Sequence, residues 1–130
     1  MKVKVLGVLA GMALAALPVL AHHSFAAEYD AAKPITVKGT VTKVEWMNPH
    51  ARFYVDVKDD AGKVTNWEFE LGSPNGLMRA GWTRNSLKQG DMITVSGSLA
   101  KDGSNLGNAR SVTLADGKKV FAGSSETTTP

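Results

Sequence analysis

The sequence predicts an all-β protein, a small OB-like barrel of five to six strands with one short helical connection, preceded by a cleaved signal peptide. Two observations favour this fold. Apolar and polar residues alternate through most of residues 35–121, as they do in half-buried strands. The alternation stops after the third strand, and three strands, a helical connection and two more strands is the order of an OB barrel. A β-sandwich is the alternative, but five or six strands are few for one.

Residues 1–21 have the organisation of a secretory signal peptide. Lys2 and Lys4 provide the positive start, an uncharged run of 16 residues follows, and Val19 and Ala21 occupy the −3 and −1 positions of a cleavage site. An uncleaved membrane anchor is the alternative, but the run falls short of the ~20 residues that span a bilayer. We therefore expect cleavage after Ala21, a periplasmic location and no stable membrane insertion after processing.

The chain contains no cysteine, so it can form neither a disulfide nor a thiolate metal site. Its formal net charge is +3, from 15 basic and 12 acidic residues. Cleavage would remove Lys2 and Lys4 and leave 13 against 12, a net charge of +1. Because this charge is weak evidence for an anionic partner, we predict no nucleic acid partner.

The first half of the mature chain is expected to form an arm and three strands. Residues 22–34, "HHSFAAEYDAAKP", have no clear period and end in proline, which predicts an extended arm. In "ITVKGTVTKVEWM" the apolar positions change parity, which predicts a β-bulge near Thr42 and Lys43. "RFYVDVKD" and "VTNWEFEL" alternate strictly, and Glu68 and Glu70 are expected on a solvated outer face.

The second half is expected to contain the helical connection and the last strands. A short helix is predicted over residues 77–80, ended by Gly81. Alternation returns in "DMITVSGSL" and "ARSVTLADGKKVF". The barrel domain is therefore assigned to residues 35–121, and the polar residues 122–130 to a disordered tail.

Cleavage after Ala21 would give His22 a free α-amine in addition to its imidazole. The amine titrates near ~8 and the imidazole near ~6.5 in model peptides, so both can be neutral donors close to physiological pH. Together they can chelate one metal ion, and a second histidine would complete the three-nitrogen set called a histidine brace, which suits Cu(II). His50, in the stiff "NPHA" turn, is the expected second arm, and copper is the expected cofactor.

Five other side chains are candidates for supporting roles in this site. His23 and Met47 are the candidate additional metal ligands. Asn48, Glu28 and Asp30 are the candidates to orient the imidazoles, as ligating histidines usually require. The alternative is that the histidine pair after the signal is a polar spacer and that the turn histidine only satisfies its turn.

A second interpretation is an OB-like module that binds a glycan, a peptide or an envelope protein partner without metal. Its ligand face would use Tyr54 and Trp82, although Trp82 is better suited to plugging one end of the barrel. Trp46 and Trp67 fall on the inward parity and are expected in the core. No Ser/His/Asp set, phosphate loop or nucleotide fingerprint is recognisable, so no catalytic residue is predicted and a binding protein is expected rather than an enzyme.

Three sequence motifs occur together: an "HHS" arm, a W-x-N-P-H turn from Trp46 to His50, and a G-S-P…GW…L-K-x-GD segment over residues 72–91. In this combination the chain resembles an uncharacterised family of small exported bacterial proteins, a domain of unknown function. The resemblance covers essentially the whole mature chain and implies a periplasmic location and a small β-barrel. It implies no activity, so the metal hypothesis depends on the placement of the histidines alone.

Overall fold

The computed structural model describes residues 24–122 of the chain. Its elements are α1 (Ser24–Glu28), β1 (Tyr29–Glu45), β2 (Arg52–Lys58), β3 (Val64–Glu70), α2 (Pro74–Arg79), β4 (Met92–Ala100), β5 (Leu106–Leu114) and β6 (Lys119–Phe121). The predicted signal peptide, the histidine pair at 22 and 23, and residues 123–130 of the predicted tail lie outside the described residues. None of the helices within 24–122 has the length and apolar character needed to cross a membrane.

Six strands form one sheet in the order β3-β2-β1-β4-β5-β6, and an additional pairing of β3 with β5 closes it into a barrel. The β3–β5 pairing is parallel and joins Glu68–Glu70 to Leu106–Asn108. All the other pairings are antiparallel. The helix α2 connects β3 to β4. The predicted all-β, OB-like barrel with one short helical connection is confirmed.

β1 is 17 residues long and contributes to two sides of the barrel, since it pairs with both β2 and β4. Its register against β2 shifts between Val41 and Lys43, where the change of parity in the sequence predicted a bulge. Gly39 lies just before this shift. A Cβ at Gly39 would collide with the backbone carbonyl of Asp56 on β2, so only glycine allows the two strands to approach this closely.

The predicted extended arm is partly a helix and partly strand. Residues 24–28 form the single turn α1, and β1 begins at Tyr29, six residues before the barrel domain was expected to start. Tyr29 pairs with Ala100 of β4, and the register shifts between Asp30 and Pro34. This irregularity is the reason that no two-residue period is visible in the sequence of the arm.

The helical connection covers one end of the barrel. α2 begins at Pro74, three residues earlier than predicted, because the Ser73 hydroxyl caps it by accepting a hydrogen bond from Gly76 N at 3.1 Å. Shortly after α2, the indole of Trp82 is only 4% exposed and donates from Nε1 to the backbone oxygen of Phe121 at 2.6 Å. Trp82 therefore plugs this end of the barrel and holds β6.

The core is a single cluster of apolar side chains from the inward faces of the strands and from the α2 connection. Trp46 and Trp67 are partly buried and pack against it. Ala122, which the prediction assigned to the disordered tail, is also fully buried there, and its N–H donates to Arg110 O at 3.0 Å. The ordered barrel thus extends one residue beyond the predicted boundary.

Candidate functional site

His50 lies on a turn whose backbone is tied to the end of β3. Its neighbour Ala51 is fully buried, donates to Gly72 O at 3.0 Å and accepts from Leu71 N at 2.8 Å. The His50 side chain is 28% exposed, and its Nδ1 atom lies 3.1 Å from Oε1 of Glu70. The imidazole is therefore held from one side by a carboxylate and open to solvent in part.

Glu70 is buried, with 4% of its surface exposed. Its Oε2 atom accepts from the Tyr29 hydroxyl at 3.0 Å and from Nη2 of Arg52 at 3.2 Å, while Oε1 faces His50. A buried carboxylate is tolerated only when it is paired and hydrogen-bonded, and these three groups provide that. The expectation of a solvated face is wrong for Glu70, because Tyr29 from the arm and Arg52 from β2 cover it.

Arg52 bridges the carboxylates of Glu70 and Glu68, which both lie on β3. Its Nη1 atom donates to Oε1 of Glu68 at 2.8 Å, and the Tyr54 hydroxyl donates to the same oxygen at 3.2 Å. The Glu68 side chain is 30% exposed. Burial and the nearby Glu68 charge raise the pKa of Tyr54, so its hydroxyl stays protonated as a donor.

Tyr54 and Trp82, the predicted ligand face of a metal-free module, both make contacts within the barrel. Tyr54 is half-buried, its hydroxyl is engaged, and Lys43 Nζ lies over its ring at 5.5 Å from the centroid. Trp82 is buried, and its indole N–H donates to the backbone oxygen of Phe121.

The charge of Glu70 acts on two further groups of the cluster. Partial burial, and then the charge of Glu70, raise the pKa of the Glu28 carboxyl at the end of α1. Burial and the same Glu70 charge raise the pKa of the Tyr29 hydroxyl far above its usual range. The cluster therefore holds three carboxylates, Glu28, Glu68 and Glu70, near one arginine.

The other predicted site residues are distributed unevenly. Met47 is 48% exposed and Asn48 is exposed on the same turn, with no bond to His50. Asp30 accepts from Ala32 N at 2.9 Å through its Oδ1 atom, in a local turn, and its role as an orienting residue stays a prediction. Between residues 24 and 122, no group of three or more His, Asp or Glu side chains could hold a metal ion. His22 and His23 lie outside that range.

Four residues of the cluster were not predicted as site residues: Tyr29, Arg52, Glu68 and Glu70. Arg52 pairs directly with Glu70 across β2 and β3. Arg52 in "RFY" and Glu70 in "EFE" carry opposite charges and are both expected on the outward faces of neighbouring strands. This pattern could have predicted their pairing. Tyr29 gave no such signal, because it is separated from Glu70 by 41 positions and lies before the bulge.

Two cavities of about 350 Å³ each lie elsewhere on the barrel and share Ser86 and Leu114. One includes Met92, and the other lies between Trp82 and Lys119. Neither cavity is lined by any residue of the His50–Glu70 cluster. They are therefore separate from the candidate site.

Among solved structures, the chain is similar to a mitochondrial single-stranded DNA binding protein from S. cerevisiae, Rim1. The TM-score is 0.50 and the identity 7%, over 64% of this chain and 93% of that chain. It is also similar to the N-terminal domain of the PriB protein from Thermoanaerobacter tencongensis, with a TM-score of 0.43 and 15% identity, over 65% of this chain and 97% of that chain. No curated protein matches the chain significantly.

The prediction that nucleic acid is excluded as a partner is wrong, because this barrel has the fold of a protein described as single-stranded DNA binding. The prediction used net charge, which does not report how charges are distributed over a folded surface. DNA binding is a property of the yeast protein. At 7% identity the likeness shows the fold alone and does not transfer that property to this chain.

The model of a family of unknown function, DUF6152, matches residues 9–109. This range contains the whole His50–Glu70 cluster and most of the barrel. The match agrees with the resemblance to an uncharacterised family, while the individual motifs and export stay predictions. The chain belongs to this family of unknown function.

Proposed function

We propose that this protein is an exported metal-binding module that holds a copper ion between His50 and a mature N-terminal His22. The observation that carries the proposal is the contact between His50 Nδ1 and the buried Glu70, at 3.1 Å. A carboxylate at one ring nitrogen sets the tautomer and orientation of the imidazole and leaves the other nitrogen, Nε2, for a metal. Ligating histidines typically have such a partner.

The position of the N-terminal segment supports the same proposal. Tyr29 bonds to the carboxylate that contacts His50, so β1 starts beside the imidazole. α1 then runs back only five residues, about 7.5 Å, to Ser24. His22 and His23 directly precede Ser24 in the chain, which is why ligands from the N-terminus are the natural complement to His50.

The donor chemistry favours copper over other first-row metals. The proposed set contains the amine and Nδ1 of His22 and Nε2 of His50, and no thiolate is present in the chain. Nitrogen donors in a tetragonal arrangement suit Cu(II). Glu70 would orient His50 rather than ligate, because both of its oxygens already have protein partners.

Copper binding is tested on protein that begins at His22, by titration with Cu(II) followed by EPR. We expect one tightly bound ion whose nitrogen hyperfine pattern loses a component in His50→Ala. A second variant carries an acetylated N-terminus, which converts the His22 amine into an amide without adding another amine and should weaken binding similarly. EPR spectra unchanged in both variants would show that these groups are not ligands.

Export and processing are tested separately by mass spectrometry of the N-terminus of protein recovered from the periplasm of a bacterial host. The proposal needs a mature chain that starts at His22, because an uncleaved or shorter chain lacks the chelating amine. Any other first residue would contradict the brace.

A second candidate function is the binding of a peptide partner without metal, and the cavity between Trp82 and Lys119 favours it. Its volume of about 350 Å³ falls in the range of small-ligand sites, and Phe121 at its edge is 49% exposed. Lys118 and Lys119 suit acidic side chains. Binding of a Glu-rich peptide that Lys119→Glu abolishes, and that the same change at the exposed Lys101 preserves, would support this candidate.

A further inference from the structure

Tyr29 links the N-terminal helix to the carboxylate that contacts His50. Its side chain is 1% exposed, and its hydroxyl donates to Oε2 of Glu70 at 3.0 Å. The other oxygen of the same carboxylate lies 3.1 Å from His50 Nδ1. The buried Glu70 carboxylate therefore contacts both Tyr29, the first residue of β1, and the His50 imidazole.

α1 has few other anchors. The ring of Phe25 lies 5.5 Å from the ring of Tyr29, and the Glu28 carbonyl accepts from Lys101 N at 2.9 Å. The side chains of Ala26, Ala27 and Glu28 are exposed. Because a helix of five residues is unstable by itself, its order depends on contacts at its end, and the Tyr29 ring provides one of them through Phe25.

We infer that Tyr29 and Glu70 are positioning residues that couple the order of α1 to the orientation of the His50 ring. One consequence of this inference rests on the proposed function. The Tyr29 hydroxyl sets the affinity for the metal although it does not contact the metal. Without that hydroxyl, Oε2 of Glu70 keeps only Arg52, and the carboxylate can turn away from His50. Coupling of this kind is reciprocal, so an ion on His50 also favours the docked arm.

The structural half of the inference is tested on metal-free protein by amide hydrogen exchange. The Lys101 amide reports on α1, because its hydrogen bond goes to the Glu28 carbonyl. We expect Tyr29→Phe to speed exchange of this amide about tenfold, the effect of losing one hydrogen bond to a charged group. The matched control is Tyr54→Phe, which removes the equivalent bond to Glu68 and should leave Lys101 unchanged. Equal exchange in the two variants would overturn the inference.

The functional half is tested by a double-mutant cycle on Cu(II) affinity, measured by competition with a chelator. Tyr29→Phe should weaken binding about tenfold in protein that begins at His22. In an N-terminally acetylated His22→Ala, His23→Ala background the same change should weaken binding by less than about twofold, because no arm ligand is left to position. An equal penalty in both backgrounds would overturn the coupling to the arm. Absence of Cu(II) binding in the unmodified chain would refute the proposed function, and the Lys101 exchange would still decide the role of Tyr29.

Discussion

Replacing Glu70 by glutamine should destabilise the barrel more than any other single change to its carboxylates. Glu70 is 4% exposed and contacts Tyr29, Arg52 and His50. The glutamine side chain would keep the shape but lose the charge, and its amide would present donors to groups that are themselves donors. A hydrogen bond between charged groups contributes about 1.5–3 kcal/mol, and a buried charge that loses its partner costs more. We expect a loss of about 2–3 kcal/mol, or roughly 10–20 °C in Tm.

The assay is thermal unfolding of metal-free protein at pH 7, followed by circular dichroism, together with urea unfolding to measure the free energy directly. Glu68→Gln is the matched control, since it makes the same change on the same strand at a side chain that is 30% exposed. Exposed pairs contribute little, so this control should lose less than about 1 kcal/mol. If the two variants were equally stable, the reasoning that Glu70 is the buried centre of the cluster would be refuted.

Three further changes test other parts of the structure. Gly97→Ala should prevent normal pairing of β4 with β5, because its Cβ would collide with the carbonyl of Asn108; near-normal Tm would contradict this. Trp82→Phe should lose about 1–2 kcal/mol and release β6, seen as faster exchange of its amides, because the bond to Phe121 O disappears. Glu28→Gln should raise Tm at pH 7 and leave it unchanged near pH 3. Burial, and then neighbouring carboxylate charge, raise the pKa of Glu28, so its contribution to stability is complete below its unfolded pKa and declines as pH rises through the folded value. A Tm difference between the variant and the unmodified protein that was the same at both pH values would contradict this pH dependence.

Local patterns in the sequence predicted the barrel well, because each strand has one face in the core. The change of parity before Val44 predicted the bulge that lies between Val41 and Lys43. Trp82 was expected to plug one end of the barrel, and its indole is buried. The arm was harder to predict, since the register shift after Asp30 removes the alternation by which strands are recognised.

The candidate site was predicted only in part. The "NPH" turn predicts an accessible histidine at position 50, whereas the outward parity of Glu70 predicts exposure to solvent. The alternation along a strand shows on which face a residue lies, but it does not show which other residues cover that face. Here the cover is Tyr29, separated from Glu70 by 41 positions in the chain, and the guanidinium of Arg52.

The sequence by itself determined the all-β class, the bulge in β1 and the turn that presents His50, since these depend on neighbours within a few residues. Only the tertiary structure decided that the arm continues into β1 and that its first residue meets Glu70. Those contacts depend on barrel closure, which brings β3 beside β5 and the start of β1 beside the end of β4. A carboxylate with outward parity became buried because distant side chains could satisfy its charge, and that condition is met only in three dimensions.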